Sequence, residues 1–278
     1  MQVPKGSINS IIAHLKSEKY DVNRLDSFIL RLIGEPQSGW IYMKETHSTK
    51  ADFLYKLTKA KAALVTVTLI PGETTYIFCE ELAQKLGLNA DLLRQEFKFQ
   101  SPIIEGTLVP NTYNVPMGID EKKLVEVLLQ QSLSQMKAIS NKIFGTYNQE
   151  KWFRFVAIAS VIEKESANKE EMPLVSSVIY NRLKKGMKLQ MDGTLNYGKY
   201  SHIRITPHRI RNDESFYNTY KHNGIPRFPV CNVSFDAIRA AIYPAQTNYL
   251  YFMKMKNGKH NFTCNYSTHL SNIRDVTK

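Results

Sequence analysis

The stretch that most constrains this chain runs from Trp152 to Ile162 and is apolar around most of a helical circumference. A helix of that kind cannot lie on a surface, because nearly every side of it has to be covered by other elements. The second half of the chain therefore reads as a domain built around one buried helix, which ends in Glu163-Lys164-Glu165-Ser166. Pro173, at the favoured first helical position, opens the next helix through Leu174, Val175, Val178, Ile179 and Leu183, and Gly186 closes it. Upstream, Asp120 is a cap for a helix through Leu124, Val127 and Leu128 that ends near Gly145. Short strands and turns follow residue 186, including Asn248 to Met255.

The first half is organised differently. Val3-Pro4-Lys5-Gly6-Ser7 leads into Ile8, Ile11, Ile12 and Leu15, and 67 residues later Ile70-Pro71-Gly72-Glu73-Thr74 leads into Ile77, Phe78 and Leu82. Both copies read as strand, tight turn and capped helix, with Ser7 and Thr74 as N-caps. Val65, Val67 and Leu69 alternate with Thr66 and Thr68, which gives the second copy its strand. Between Phe97 and Met117 turn formers accumulate, and that segment reads as a connector.

Charge separates the halves further. Lys and Arg outnumber Asp and Glu by 20 to 9 over residues 151 to 278, against 17 to 16 over residues 1 to 150. Concentrated positive charge points to an anionic partner, whether nucleic acid, lipid headgroup or acidic polysaccharide. No recognisable nucleic-acid motif accompanies it. Cys79, Cys231 and Cys264 are too few and too scattered for a disulfide framework or a zinc site, and the histidines have no metal-ligand spacing. No phosphate-binding glycine loop or nucleophile elbow occurs, so neither metal nor cofactor is expected. The chain contains no apolar run of membrane-spanning length, and its opening reads as the middle of a domain, as if a segment preceded it.

Glu163 is the residue that calls for chemistry. Val156, Ala159 and Ser160 precede it on its own helical face, so its carboxyl emerges from an apolar surface. Desolvation favours the neutral acid, the form that can protonate a departing oxygen. Glu165 lies about 200° further round the helix and cannot share a cleft wall with Glu163.

The second half resembles the MltG/YceG-type endolytic murein transglycosylases. The resemblance is carried by Ala159-Ser160-Val161-Ile162-Glu163-Lys164-Glu165-Ser166 and by Ser177 to Asp192, which includes Tyr180-Asn181-Arg182-Leu183 and Leu189-Gln190-Met191-Asp192. It continues through Thr194, Tyr197-Gly198, Tyr217-Asn218-Thr219-Tyr220, Gly224-Ile225-Pro226, Pro244-Ala245, Tyr249 to Phe252 and Gly258 to Phe262. Leu108-Val109-Pro110-Asn111-Thr112-Tyr113 is similar to the family's Leu-Phe-Pro-Asp-Thr-Tyr, and Ile70 to Leu86 to its LysM-like part. Asp192-Gly193-Thr194 departs from the usual Asp-Pro-Thr, and Pro226-Arg227-Phe228-Pro229 from a Pro-Pro-Gly stretch.

The resemblance implies an α+β fold in which small LysM-like α/β units precede a mixed helix and strand catalytic domain. The divisions are residues 1–62, 63–118 with the connector, and 119–278. It places the catalytic acid and base on Glu163 and substrate contacts on Gln190, Asp192, Thr194, Tyr217, Asn218 and Tyr220. The implied substrate is peptidoglycan, cut between MurNAc and GlcNAc to leave 1,6-anhydro ends. One carboxyl suffices for that reaction, where ordinary glycoside hydrolysis uses two. A single-pass inner-membrane anchor outside this chain, a catalytic domain beyond the membrane and partners among the peptidoglycan synthases are also implied. The competing expectation is a LysM-like module that grips peptidoglycan without cutting it.

Overall fold

A computed structural model describes residues 1–43 and 49–277. Among the described residues the fold is α+β, with three separate two-stranded antiparallel sheets and the helices packed around them. The first unit runs β1 (Gln2–Val3), α1 (Ile8–Ser17), α2 (Arg24–Ile33) and β2 (Gly39–Trp40), with β1 paired to β2, and α3 (Lys50–Lys59) follows. The second unit repeats that order: β3 (Leu64–Thr68), α4 (Thr75–Leu86), α5 (Ala90–Gln100) and β4 (Thr112–Pro116), with Val67 opposite Tyr113. Ser7 and Thr74 cap α1 and α4 as their matching positions require, each accepting from the backbone N–H three residues on.

The units have their own cores. Val3, Ile11, Leu15, Leu30, Leu54 and Leu57 fill the first, and Val67, Phe78, Leu82, Leu93, Phe97 and Tyr113 the second. The third surrounds α7 (Gln149–Glu165), the helix that has to be covered on all sides, with α8 (Met172–Lys184) and α10 (Phe235–Ile242) against it. Trp152, Val156, Ala159, Val161 and Ile162 of α7 are all fully buried. Long helix α6 (Glu121–Phe144) joins the last two cores, giving Leu124, Val125 and Leu128 to the second and Met136 to the third. Asp120 caps its start, and Gly145, at φ 74°, accepts the left-handed turn that ends it.

Two short segments position the end of α7. Residues 229–234 run along one side of it: Val230 N–H donates to Ser160 Oγ at 2.9 Å, and Ser234 caps α10. Along another side lies the loop 188–195, tied down by Arg182 of α8, whose guanidinium donates to Leu189 O at 2.6 Å and to Leu250 O at 2.7 Å. Leu250 precedes β5 (Tyr251–Lys254), which pairs with β6 (His260–Thr263). In chain order helix α9 (Pro207–Asn212) comes between the loop and α10, and α11 (Tyr266–Thr277) packs on the last sheet. Among the described residues no helix is long and apolar enough to cross a membrane.

The second unit is knit into this domain. Buried Asn232 accepts Gly72 N–H at 2.9 Å and donates its own N–H to Glu73 O at 2.9 Å, while its side chain reaches Thr75 Oγ1 and Leu108 N. Thr74 Oγ1 donates to Gly198 O at 2.8 Å. The turn at Gly72 thereby comes to rest over α7, where a Cβ on Gly72 would stand 3.7 Å from Glu163 Cγ.

Candidate active site

Helix α7 carries its two glutamates into different surroundings, as the helical period requires. Glu163 turns toward the 229–234 segment. Its Oε2 accepts both the backbone N–H of Ser234 at 2.9 Å and the Ser234 hydroxyl at 2.7 Å, and the same hydroxyl accepts Ala237 N–H as the cap of α10. Desolvation raises the Glu163 carboxyl above its ordinary value, and the two Ser234 bonds oppose that shift. Glu163, half-buried, thus lies between the start of α10 and the Gly72 turn.

Glu165 opens the other way, into a recess of about 410 Å³ shared with Gln190, Asp192, Tyr220, Tyr251 and His269. Gly193 N–H donates to its Oε1 at 2.6 Å. Burial is the main cause that pushes this carboxyl up to about 7, with neighbouring Asp192 adding to the rise, while the Gly193 bond and the Arg182 charge oppose it. The group therefore stands poised between acid and base near neutral pH. Tyr220 donates its hydroxyl to Asp192 Oδ1 at 2.5 Å. Tyr251 stacks on His269 with ring centroids 5.2 Å apart, which gives the recess one aromatic wall.

Gln190 stands out on backbone grounds. It holds φ at 47°, a left-handed conformation that a residue with a Cβ adopts at a cost, and its side chain is exposed at the recess. Gly193, three residues on, accounts for the departure from Asp-Pro-Thr. A Cβ at Gly193 would fall 2.8 Å from Lys164 Cβ and 2.9 Å from Lys164 O, and proline would also lack the N–H that Glu165 accepts.

The expected substrate contacts consequently divide. Gln190, Asp192 and Tyr220 gather at Glu165, in a recess that Glu163 does not line. Thr194 is buried and bonds Met191 O at 2.8 Å. Asn218 is buried as well, its amide donating to Ile210 O and Asp213 O, so it fixes the 210–220 turn from within. Tyr217 stacks on Tyr197 at 4.4 Å and lines a different cavity, about 540 Å³, between the second unit and the third core.

That second cavity holds an acid which sequence reasoning missed. Glu105 sits in the connector and accepts Thr75 N–H at 2.8 Å, and burial pushes its carboxyl up to about 7. The available signal was Gly106 beside it: a Cβ there would collide with Val156 Cγ1 at 2.6 Å, so the connector must press against α7. Buried Asn232 was missed too, since nothing in a lone Asn-Val-Ser distinguishes a hub from a loop.

Comparison with known proteins bears on the family and the fold. The family model described as YceG-like matches residues 1–275. An endolytic murein transglycosylase of Bacillus subtilis (strain 168) is 32% identical over 168 residues, covering 60% of this chain and 46% of that protein. One from Streptococcus pneumoniae serotype 2 is 31% identical over 180 residues, covering 62% of this chain and 32% of its own length. The chain thus spans less than half the length of these curated relatives. In fold it is similar to the crystal structure of a yceG-like protein from Listeria monocytogenes, with a TM-score of 0.62, 97% of each chain covered and 23% identity.

Proposed function

The chain belongs to the YceG-like family, and from that premise we propose that it cuts peptidoglycan glycan strands internally, as an endolytic murein transglycosylase, with Glu165 as its acid and base. The observation that carries the reading is the company Glu165 keeps: a raised carboxyl at a recess with Gln190, Asp192, Tyr220 and an aromatic wall. This moves the acid from Glu163, where the resemblance puts it. Glu163 spends its carboxyl on the start of α10 and lies against the second unit. We assign it the task of holding that junction.

In the proposed reaction the protonated Glu165 donates to the oxygen that joins MurNAc C1 to GlcNAc, and the C1–O bond breaks. The muramic 6-hydroxyl oxygen then bonds to C1, and its proton passes to the Glu165 carboxylate. The acid is restored and no water is consumed. Asp192, held by Tyr220, contributes negative charge beside the carbon that becomes electron-poor. Gln190 supplies an amide that can both donate to and accept from sugar hydroxyls or the N-acetyl group. The excess of Lys and Arg in residues 151 to 278 suits the carboxylates of the lactyl groups and stem peptides. Attachment to the inner membrane, with this domain on its outer side, and work beside the peptidoglycan synthases belong to the same proposal.

The test is to incubate purified chain with intact glycan strands and weigh the products. Internal cuts with 1,6-anhydro ends, one water lighter than reducing ends, are expected. Reducing ends would overturn the transglycosylase reading, and strands left whole would favour a module that only binds.

A further inference from the structure

Helix α2 of the first unit is built inside out at its outer face. Its inward side is Ser27 and Leu30, and Asp26, its one acid, also turns inward to cap the helix at Asn23 and pair with Lys50 at 3.4 Å. The outward side carries Leu25, Phe28, Ile29 and Leu32, at the i, i+3, i+4, i+7 spacing of one helical stripe. These side chains are 70%, 60%, 43% and 87% exposed. Isolated exposed apolar residues need no account, but four in register on one face do.

The margin of the stripe is basic. Arg24 and Arg31, seven residues apart, follow one edge, and the Arg31 guanidinium lies 5.4 Å from the Phe28 ring centre. Arg31 also reaches Asn9 of α1, whose exposed Lys16 lies on the same side of that helix as Asn9. With Asp26 turned inward, α2 presents no carboxylate outward. An apolar wedge edged by arginines is the pattern of a helix that lies in a membrane interface, with its leucines and phenylalanine among acyl chains and its cations among anionic headgroups. We propose that this face of the first unit docks on an anionic lipid surface. The proposal is independent of the acid at Glu165, because it concerns a separate unit.

The experiment is co-sedimentation of the whole chain with vesicles containing phosphatidylglycerol, and with vesicles of phosphatidylcholine alone. Binding to the first is expected, with weaker binding to the second and a decline as salt rises. Leu32→Glu and Phe28→Glu each replace an exposed side chain, so the fold is retained. Each is expected to weaken partition at least about tenfold, the consequence of losing one buried large apolar group. Arg24→Gln with Arg31→Gln is expected to remove only the advantage of the anionic lipid. Cleavage of soluble strands stays unchanged in all of them, which separates this test from that of the catalytic reading. The proposal is overturned if the wild-type chain does not sediment with phosphatidylglycerol vesicles, or if Leu32→Glu binds as well as wild type. A solution dimer that Leu32→Glu dissociates would also overturn it, since a second copy would then cover the face.

Discussion

The two sides of the last turn of α7 differ less in chemistry than in company. Each presents a glutamate whose carboxyl is raised by burial, and each glutamate accepts a backbone N–H. On one side the donor is Ser234 at the start of a packed helix, with the Gly72 turn laid over it. On the other it is Gly193 in a loop that leaves a recess open beside Asp192, Gln190 and Tyr220. Desolvation alone therefore does not mark a catalyst. A raised carboxyl becomes one where a substrate can reach it and neighbouring groups are disposed to hold that substrate.

The largest expected effect falls on the open side. Glu165→Gln keeps the size of the side chain but can neither deliver nor recover a proton, so cleavage of glycan strands should fall by at least about 10²-fold while strand binding persists. Equal activity in the substituted chain would collapse the distinction between the sides. Gly193→Ala should come next, since its Cβ would meet Lys164 backbone and side-chain atoms below 3.0 Å and displace the N–H that orients Glu165. Activity is expected to drop about tenfold, with about 1–3 kcal/mol lost to overpacking in thermal or denaturant unfolding.

The packed side should answer in stability. Glu163→Ala leaves the Ser234 N–H without its acceptor at the start of α10, at a cost of about 1–3 kcal/mol in unfolding free energy. Cleavage per folded molecule should change little. A large loss of turnover in a fully folded Glu163→Ala chain would return the acid to that side.

A pH series sharpens the same contrast. In the proposed reaction Glu165 starts protonated, so the rate should decline as pH rises through about 7. Glu165 and Glu105 both have folded values raised to about 7, so the folded state holds more protons than the unfolded one between the ordinary carboxylate range and that value. The contribution of these two groups to stability should therefore be full below that window and be lost through it as pH rises. Glu105→Gln is expected to flatten part of the stability change without moving the alkaline limb of the rate.

Much of this architecture was legible in the residues. The 67-residue echo between Val3-Pro4 and Ile70-Pro71 falls on a strand and a capped helix in each copy, β1 with α1 and β3 with α4, and the apolar circumference of residues 152–162 anticipated α7 as a core helix. The period also placed Glu163 and Glu165 on different sides. Which side is open was not legible, because that depends on segments 28 and 71 residues away in sequence, Gly193 and Ser234, whose approach leaves no local pattern. Residues such as Thr194 and Asn218 mislead for a related reason: a motif records that a side chain matters without recording whether it faces a substrate or its own backbone. The second unit's share in the junction was hidden likewise in Asn232, which ties Gly72 and Glu73 to the third core through backbone groups.

The most direct test of the central claim is a crystal structure of the Glu165→Gln chain with a glycan fragment bound and uncut. The scissile oxygen is expected about 3 Å from the side-chain amide at position 165, with the sugar rings between Gln190, Asp192 and Tyr220. A fragment seated instead with that oxygen against Glu163, along the 229–234 segment, would contradict it.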